Sequence, residues 1–189
     1  MQYLGPLLFF CVGFLVHAGG INHAEVQYAA GHYTLDVSTV IDVQMNHVRP
    51  LVTDYDQLTR LNDALIESAL LVDFGDGQKR RRLVARSCVL VFCFNVTLVE
   101  DVIESDDGNV LTIVATVDPS QSDFTYGTTR WLIVGEPNDR TRIQLNGDYV
   151  PSFWVPPAVG PWLLKRKLLH EAQNTVQNIE TLARDEAPG

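Results

Sequence analysis

The sequence predicts an α+β domain in which a curved antiparallel sheet of about six to seven strands wraps around one long C-terminal helix. Segments rich in β-branched residues, separated by short turns, fill the middle of the chain. Residues 162–184 contain neither Gly nor Pro and repeat their apolar side chains at helical spacing. Short turns make consecutive strands antiparallel neighbours, so one face of the sheet needs a long element to cover it.

The first predicted elements are one strand and two short helices. Residues 33–41 alternate in polarity and are rich in β-branched side chains, which indicates a strand. Apolar side chains at helical spacing then predict a helix at 43–54, which Pro50 should kink or divide. A second short helix is predicted at 55–61.

Strand patterns then follow one another as far as residue 150. Gly75-Asp76-Gly77 and Asp106-Asp107-Gly108-Asn109 are strong turn signals between them. The strands are predicted at 66–74, 110–117, 126–134 and 141–150, with a long β-rich stretch at 81–104.

The last predicted element is a helix at 162–184, whose length of about 35 Å is enough to cross a sheet. Prolines precede it, and charged residues such as Lys165 and Glu171 lie opposite its apolar face. That apolar face consists of Leu164, Leu168, Ala172, Val176, Ile179 and Ala183. A curved sheet and a single helix need not fill the space between them, so we expect an apolar pocket.

Composition limits the classes of function. A chain of 189 residues suits one domain. The formal net charge of −9, from 23 acidic and 14 basic residues, disfavours non-specific nucleic-acid binding, and no nucleic-acid partner is expected. Three cysteines are too few for a scaffold built on disulfides.

The N-terminal segment predicts export. Residues 1–20 contain no Lys, Arg, Asp or Glu, and Val16-His17-Ala18 supplies a site that signal peptidase could cut. No positive charge precedes the apolar run, and a retained anchor is the alternative. We expect a signal peptide at 1–20, a mature domain at 21–189, and a periplasmic or secreted protein.

The predicted order of elements resembles the helix-grip fold of the START-like (SRPBCC) superfamily, which includes polyketide cyclases/dehydrases and coenzyme Q-binding proteins. Thr53 to Asn62 is similar to the segment after the first strand in those families. Gly127 to Trp131 and Tyr149 to Pro157 are similar to the last two strands and the approach to the long helix in periplasmic members. The resemblance implies that one domain of this type, at 21–189, binds a lipid, quinone, sterol or polyketide.

The candidate ligand-binding residues lie on the last strands and on the helix. Aromatic side chains are concentrated there, and they could form part of the core, a cavity mouth or a surface that touches a membrane. Arg130 could orient a ligand carbonyl, although an Arg on a strand more often faces solvent. The predicted site consists of Arg130, Trp131, Tyr149, Phe153, Trp154, Trp162, Leu164, Leu168, Ala172 and Val176.

Two further features have competing interpretations. Cys88 and Cys93 would lie ~16 Å apart on one flat strand, so we expect two separate core residues unless a turn near residues 90–91 allows a disulfide. The basic run Lys79-Arg80-Arg81-Arg82 is interpreted as a solvated strand start, with binding of anionic head groups as the alternative.

The functional hypothesis is a module that binds or carries an apolar small molecule in an internal cavity. The candidate ligands are a quinone, a lipid or a polyketide-like compound, and a quinone is the first candidate. The sequence shows no recognisable nucleophile, metal or nucleotide motif, so no catalytic residue, metal or cofactor is expected. Transient membrane contact is a candidate interaction. The alternatives are a polyketide cyclase/dehydrase-type enzyme acting in the same cavity, and a structural protein whose cavity is filled by side chains.

Overall fold

The computed structural model of the chain describes residues 21–89, 92–155 and 160–186. The predicted signal peptide lies outside the described residues. The strands are β1 (Ile21–Ala29), β2 (His32–Ile41), β3 (Leu65–Gly75), β4 (Gln78–Val89), β5 (Phe92–Asp106), β6 (Val110–Val117), β7 (Phe124–Glu136) and β8 (Arg140–Pro151). The helices are α1 (Met45–Thr53), a 3₁₀ helix (Leu58–Leu61) and α2 (Gly160–Asp185).

All eight strands belong to one antiparallel sheet in the order β1-β2-β8-β7-β6-β5-β4-β3. The alternation that predicts the strands also builds the core, because every second side chain faces inward. On β6 the buried residues are Leu111, Ile113, Ala115 and Val117, and on β8 they are Thr141, Ile143, Leu145 and Gly147. The predicted α+β architecture, a curved antiparallel sheet around a long C-terminal helix, is confirmed.

The structure differs from the prediction in the number of strands. β1 was not predicted, and the β-rich stretch 81–104 lies in two paired strands, β4 and β5. The sheet therefore has eight strands where six to seven were expected. Of the two predicted short helices, the first is α1, which contains Pro50, and the second is the 3₁₀ helix.

The disulfide is a correction to the expectation of two separate core cysteines. Cys88 on β4 and Cys93 on β5 are directly opposite each other, with α-carbons 4.0 Å apart, and form a disulfide. The ~16 Å separation assumed a continuous strand, whereas the chain reverses between Val89 and Phe92. Both cysteines are exposed.

Helix α2 covers one part of the sheet more closely than the rest. It packs against β1, β2, α1 and the 3₁₀ helix. Its buried apolar side chains, Ala172, Val176, Ile179 and Ala183, all lie from the middle of the helix onwards. In the first half, Leu164 is only half-buried. No helix in the part of the chain that the structure describes is long and apolar enough to cross a membrane.

We expect the substitution Ile179→Ala to lower the free energy of unfolding by about 2–5 kcal/mol, because it empties a fully buried position between α2 and the sheet. Gln177→Ala on the exposed face of the same helix is the matched control and should change that free energy by less than about 0.5 kcal/mol. Urea unfolding of both variants measures the difference. Equal stabilities would contradict the packing described for α2.

Candidate ligand-binding cavity

A cavity of about 230 Å³ lies between the inner face of the sheet, α1, the 3₁₀ helix and α2. Sixteen residues line it, and ten of them are aliphatic or tryptophan, among them Leu83, Leu98, Ile113 and Trp131. The polar lining residues are Asn62, Arg81, Glu100, Thr129, Tyr149 and Thr175. The lining is therefore mainly apolar, with a small set of polar groups.

A buried ion pair is the strongest polar feature of this cavity. Arg81 on β4 and Glu100 on β5 are directly opposite each other in the sheet. Both Nε and Nη2 of Arg81 lie 2.8 Å from Oε2 of Glu100. The two side chains are 8% and 2% exposed. Two full charges therefore face an apolar space with little access to water.

The ion pair offsets part of the cost of burying each charge. Burial alone lowers the pKa of Arg81, but the neighbouring carboxylate of Glu100 outweighs this effect and raises the pKa above its ordinary value. Arg81 is thus a permanent cation. A buried charge of this kind is tolerated only with a partner and with additional polar contacts.

Tyr55 supplies such a contact from outside the ion pair. The guanidinium carbon of Arg81 lies 5.0 Å from the centre of the Tyr55 ring, within the range of a cation–π interaction. The Tyr55 hydroxyl donates a hydrogen bond to Glu104, whose two carboxylate oxygens also accept hydrogen bonds from Lys79 Nζ at 3.0 Å. Burial and the bond to Glu104 raise the pKa of Tyr55, so it stays protonated. These contacts fix the position of the guanidinium.

Tyr149 faces the same cavity from β8. Gly127 and Gly147 leave room for its ring, since a Cβ at Gly147 would lie 2.8 Å from Tyr149 Cε2 and one at Gly127 would lie 3.1 Å from Cδ1. The hydroxyl hydrogen-bonds with Thr129 Oγ1 on β7. Burial, followed by the negative charge of Glu100, raises the pKa of Tyr149 to about 12. Tyr149 is therefore a neutral hydroxyl at physiological pH.

The structure brings two of the predicted site residues, Trp131 and Tyr149, together at the cavity. Ala172 and Val176 are buried in the core, and Leu168 packs against that core. The contribution of α2 to the cavity lining is Thr175, one residue from Val176.

The other predicted site residues lie elsewhere. Arg130 is exposed, as expected for an Arg on a strand, and Leu164 is half-buried on α2. Phe153 packs against Phe94 and Phe124, with ring centres 5.6 Å and 6.1 Å apart. Trp154 and Trp162 are 78% and 60% exposed. We call Phe153 with its ring partners Phe94 and Phe124, together with Trp154 and Trp162, which follow it along the chain, the aromatic end of the domain.

The interpretation of the basic run as solvated is wrong for Arg81. Arg80 and Arg82 form partly exposed ion pairs with Asp101 and Glu67. Arg81 points to the opposite face, in phase with Leu83, which also lines the cavity. Strand periodicity alone could have shown this, because residues two apart share a face.

Glu100 was also missed, for the same reason. It lies in phase with Val96, Leu98 and Val102 on β5, so an acidic residue occupies a position that the strand pattern assigns to the core. An acidic and a basic residue at apolar positions of two adjacent strands are the sequence signal for a buried pair.

No protein-family model matches the sequence, and no curated protein sequence matches it. Solved structures do match. The STAR-related lipid transfer protein of Xanthomonas axonopodis is 13% identical, with a TM-score of 0.64 over 85% of this chain and 98% of that chain. A START superfamily protein of Mycobacterium smegmatis is 18% identical, with a TM-score of 0.66 over 83% of this chain and 100% of that chain.

The Zhui aromatase/cyclase of Streptomyces is also similar in structure. It is 14% identical, with a TM-score of 0.58 over 82% of this chain and 93% of that chain. At these identities the similarity shows the fold alone. The chain has the helix-grip fold found in START lipid-transfer domains and in aromatase/cyclases.

Proposed function

We propose that this protein binds and carries an apolar small molecule with a polar group that meets the Arg81–Glu100 pair. The observation that supports this proposal is the ion pair itself, which faces a cavity lined mainly by aliphatic side chains. Ligand sites typically combine an apolar wall with a few polar groups that fix orientation. The structural neighbours include lipid-transfer domains, which is consistent with an apolar ligand.

A quinone is our first candidate ligand and a lipid the second. The guanidinium of Arg81 can donate to a carbonyl oxygen, and Tyr149 and Thr129 supply hydroxyl groups in the same cavity. A quinone offers carbonyl oxygens on a flat apolar ring. The cavity volume of about 230 Å³ is below the ~300–1,000 Å³ of typical ligand sites. We therefore propose that the cavity holds the ring, while an apolar tail extends towards the aromatic end.

The first test of this proposal is quinone binding by the full chain. A short-chain naphthoquinone should quench the fluorescence of Trp131, which lines the cavity. The double variant Arg81→Leu/Glu100→Leu should bind it about 10- to 100-fold more weakly, because a hydrogen bond to a charged group is lost. Trp131→Phe should lose the quenching while calorimetry still detects binding. That result would show that the quenching comes from a quinone in the cavity.

Two controls separate binding from stability. Arg81→Leu alone should lower the free energy of unfolding by about 3–5 kcal/mol, since it leaves Glu100 buried without a partner, whereas the double variant should be close to wild type. Arg82→Leu/Glu67→Leu removes a neighbouring exposed pair and should bind as wild type does. A folded Arg81→Leu/Glu100→Leu variant with unchanged affinity would refute the proposed role of the pair.

We further propose that the aromatic end makes transient contact with a membrane when ligand is exchanged. Trp154 and Trp162 are exposed, and Arg166 lies 5.7 Å from the Trp162 ring. Lys165, Arg166 and Lys167 add positive charge in the first turns of α2, on a chain whose net charge is −9. Exposed Trp beside basic residues is typical of surfaces that meet anionic head groups.

Trp154→Ala/Trp162→Ala should bind vesicles containing phosphatidylglycerol roughly tenfold more weakly, because both apolar side chains that enter the interface are lost. Phe74→Ala is the matched control, since Phe74 is an aromatic residue on β3 that is 61% exposed but lies outside the aromatic end. Vesicle sedimentation measures both. Equal loss in the two variants, or none in the first, would refute membrane contact through this end.

An enzyme of the polyketide cyclase type is the second candidate function. The observation that favours it is the cluster of Tyr149, Thr129 and the ion pair at the cavity, and one structural neighbour is an aromatase/cyclase. With its pKa raised to about 12, Tyr149 could act as a proton donor to a carbonyl group. The Tyr149→Phe variant should then still bind a poly-β-ketone but no longer cyclise it. If wild-type protein leaves a poly-β-ketone unchanged, that result would instead favour binding and carriage as the function.

We propose a periplasmic or secreted location. The apolar, uncharged segment at residues 1–20 supports export, and the Cys88–Cys93 disulfide is consistent with an oxidising compartment. Mass determination of the mature protein from its native host tests the proposed cleavage after the first 20 residues.

A further inference from the structure

We propose that the Cys88–Cys93 disulfide is a redox switch for ligand exchange. When the disulfide is intact it holds the paired ends of β4 and β5 against the residues that follow β8, and its reduction releases this contact and speeds ligand dissociation. The inference rests on the proposed function, because it concerns the regulation of the same cavity.

The C-terminal end of β4 and the N-terminal end of β5 extend beyond the neighbouring strands. β3 pairs with β4 only as far as Ala85, with one further hydrogen bond from the Arg86 amide to the Ala64 carbonyl, and β6 pairs with β5 only from Glu100 onwards. The pairs Ser87↔Phe94 to Val89↔Phe92 therefore form a two-stranded overhang. Two strands alone are marginally stable in water, so this segment is prone to local opening.

The disulfide is placed to hold the overhang closed. Cys88 and Cys93 are opposite each other within it, and both are exposed to solvent. They are only 5 residues apart in sequence, so the bond closes a short loop and constrains the unfolded chain little. Its main effect is thus local: it keeps the two strands of the overhang in register.

A chain of ring contacts connects the overhang to the cavity. Phe94, next to Cys93, packs against Phe153 with ring centres 5.6 Å apart. Phe153 packs against Phe124 at 6.1 Å, and Phe124 packs against Tyr149 at 5.6 Å. Tyr149 lines the cavity. When the overhang opens, Phe94 moves away from Phe153. The ring contacts that hold Tyr149 against the cavity are then weakened.

Backbone hydrogen bonds reinforce the same connection. Asp123 accepts a bond from the Thr97 amide with its carboxylate at 2.7 Å and donates its own amide to the Thr97 carbonyl at 2.9 Å. The amide of Ser152, beside Phe153, donates to the Asp123 carbonyl at 3.0 Å. β5 is therefore tied, through Asp123, to the residues that follow β8.

The switching step is a thiol–disulfide exchange with a dithiol. A thiolate of the reductant attacks one sulfur, the Cys88–Cys93 bond breaks, and a mixed disulfide forms. The second thiol of the reductant then displaces the remaining cysteine. The protein gains two electrons and two protons as two thiols, and the reductant becomes a disulfide. Exposure of both cysteines gives the reductant access.

The experiment measures the dissociation rate of the short-chain naphthoquinone from the full chain, by recovery of tryptophan fluorescence. Protein treated with dithiothreitol should show two free thiols while still folded. After the reductant is removed, so that it cannot itself reduce the quinone, this protein should release the quinone roughly three- to tenfold faster, as expected for loss of an aromatic pair. Cys88→Ser/Cys93→Ser should give the same fast rate without reductant. Phe94→Ala should also show this fast dissociation rate, even with the disulfide intact.

The outcomes distinguish the switch from the function on which it rests. If the oxidised wild-type protein does not bind the quinone, the proposed function fails and the switch fails with it. If binding depends on Arg81 and Glu100 but oxidised, reduced and serine forms release quinone equally fast, only the switch is wrong. A disulfide that dithiothreitol cannot reduce in the folded protein, or a reduced protein that unfolds, would also overturn it.

Discussion

The C-terminal half of α2 fills the space between α1, the 3₁₀ helix and strands β1 and β2, and the candidate site depends on this placement. Since the buried apolar residues of α2 begin at Ala172, in the middle of the helix, the inner faces of β4 to β7 are covered less closely. The cavity lies where those strands face Thr175 of the helix. A helix that filled this space along its whole length would leave no room for a ligand.

In the absence of a ligand, burial of the Arg81–Glu100 pair lowers the stability of the fold. Burial of two charges costs several kcal/mol per ion, and a well-packed apolar pair is often as stable or more stable. Contacts with Tyr55, and through it with Glu104 and Lys79, reduce the cost but do not explain why charges occupy these positions. Under the proposed function, the charges serve to recognise a polar group on an apolar ligand. The pair would then supply the directional contact that aliphatic walls lack, so stability and binding affinity are expected to respond differently to its removal.

The fold could be predicted because its signals are local. Turn residues separate the strands, and α2 has a long apolar stripe without Gly or Pro. β1 escaped prediction because Val26 is the only fully buried residue among its described side chains, so the strand lacks an apolar face. The disulfide escaped because its distance argument required a strand that continues where the chain in fact reverses.

The candidate site was harder to predict than the fold. The sequence points to the aromatic residues of the last strands, and Trp131 and Tyr149 do line the cavity. Arg81 was interpreted as solvated with the rest of the basic run, because charged side chains usually face solvent, and Glu100 was not singled out. Their pairing depends on the register between β4 and β5, which no short segment of sequence encodes by itself.

The most direct test of the central claim is native mass spectrometry of the protein purified from a membrane-containing host. We expect the wild-type protein to carry one apolar molecule with a carbonyl or phenolic oxygen. We expect Arg81→Leu/Glu100→Leu, though folded, to be recovered without it. An apo mass for the wild-type protein that persists after incubation with quinones and lipids, or equal occupancy in both proteins, would contradict ligand binding through this pair.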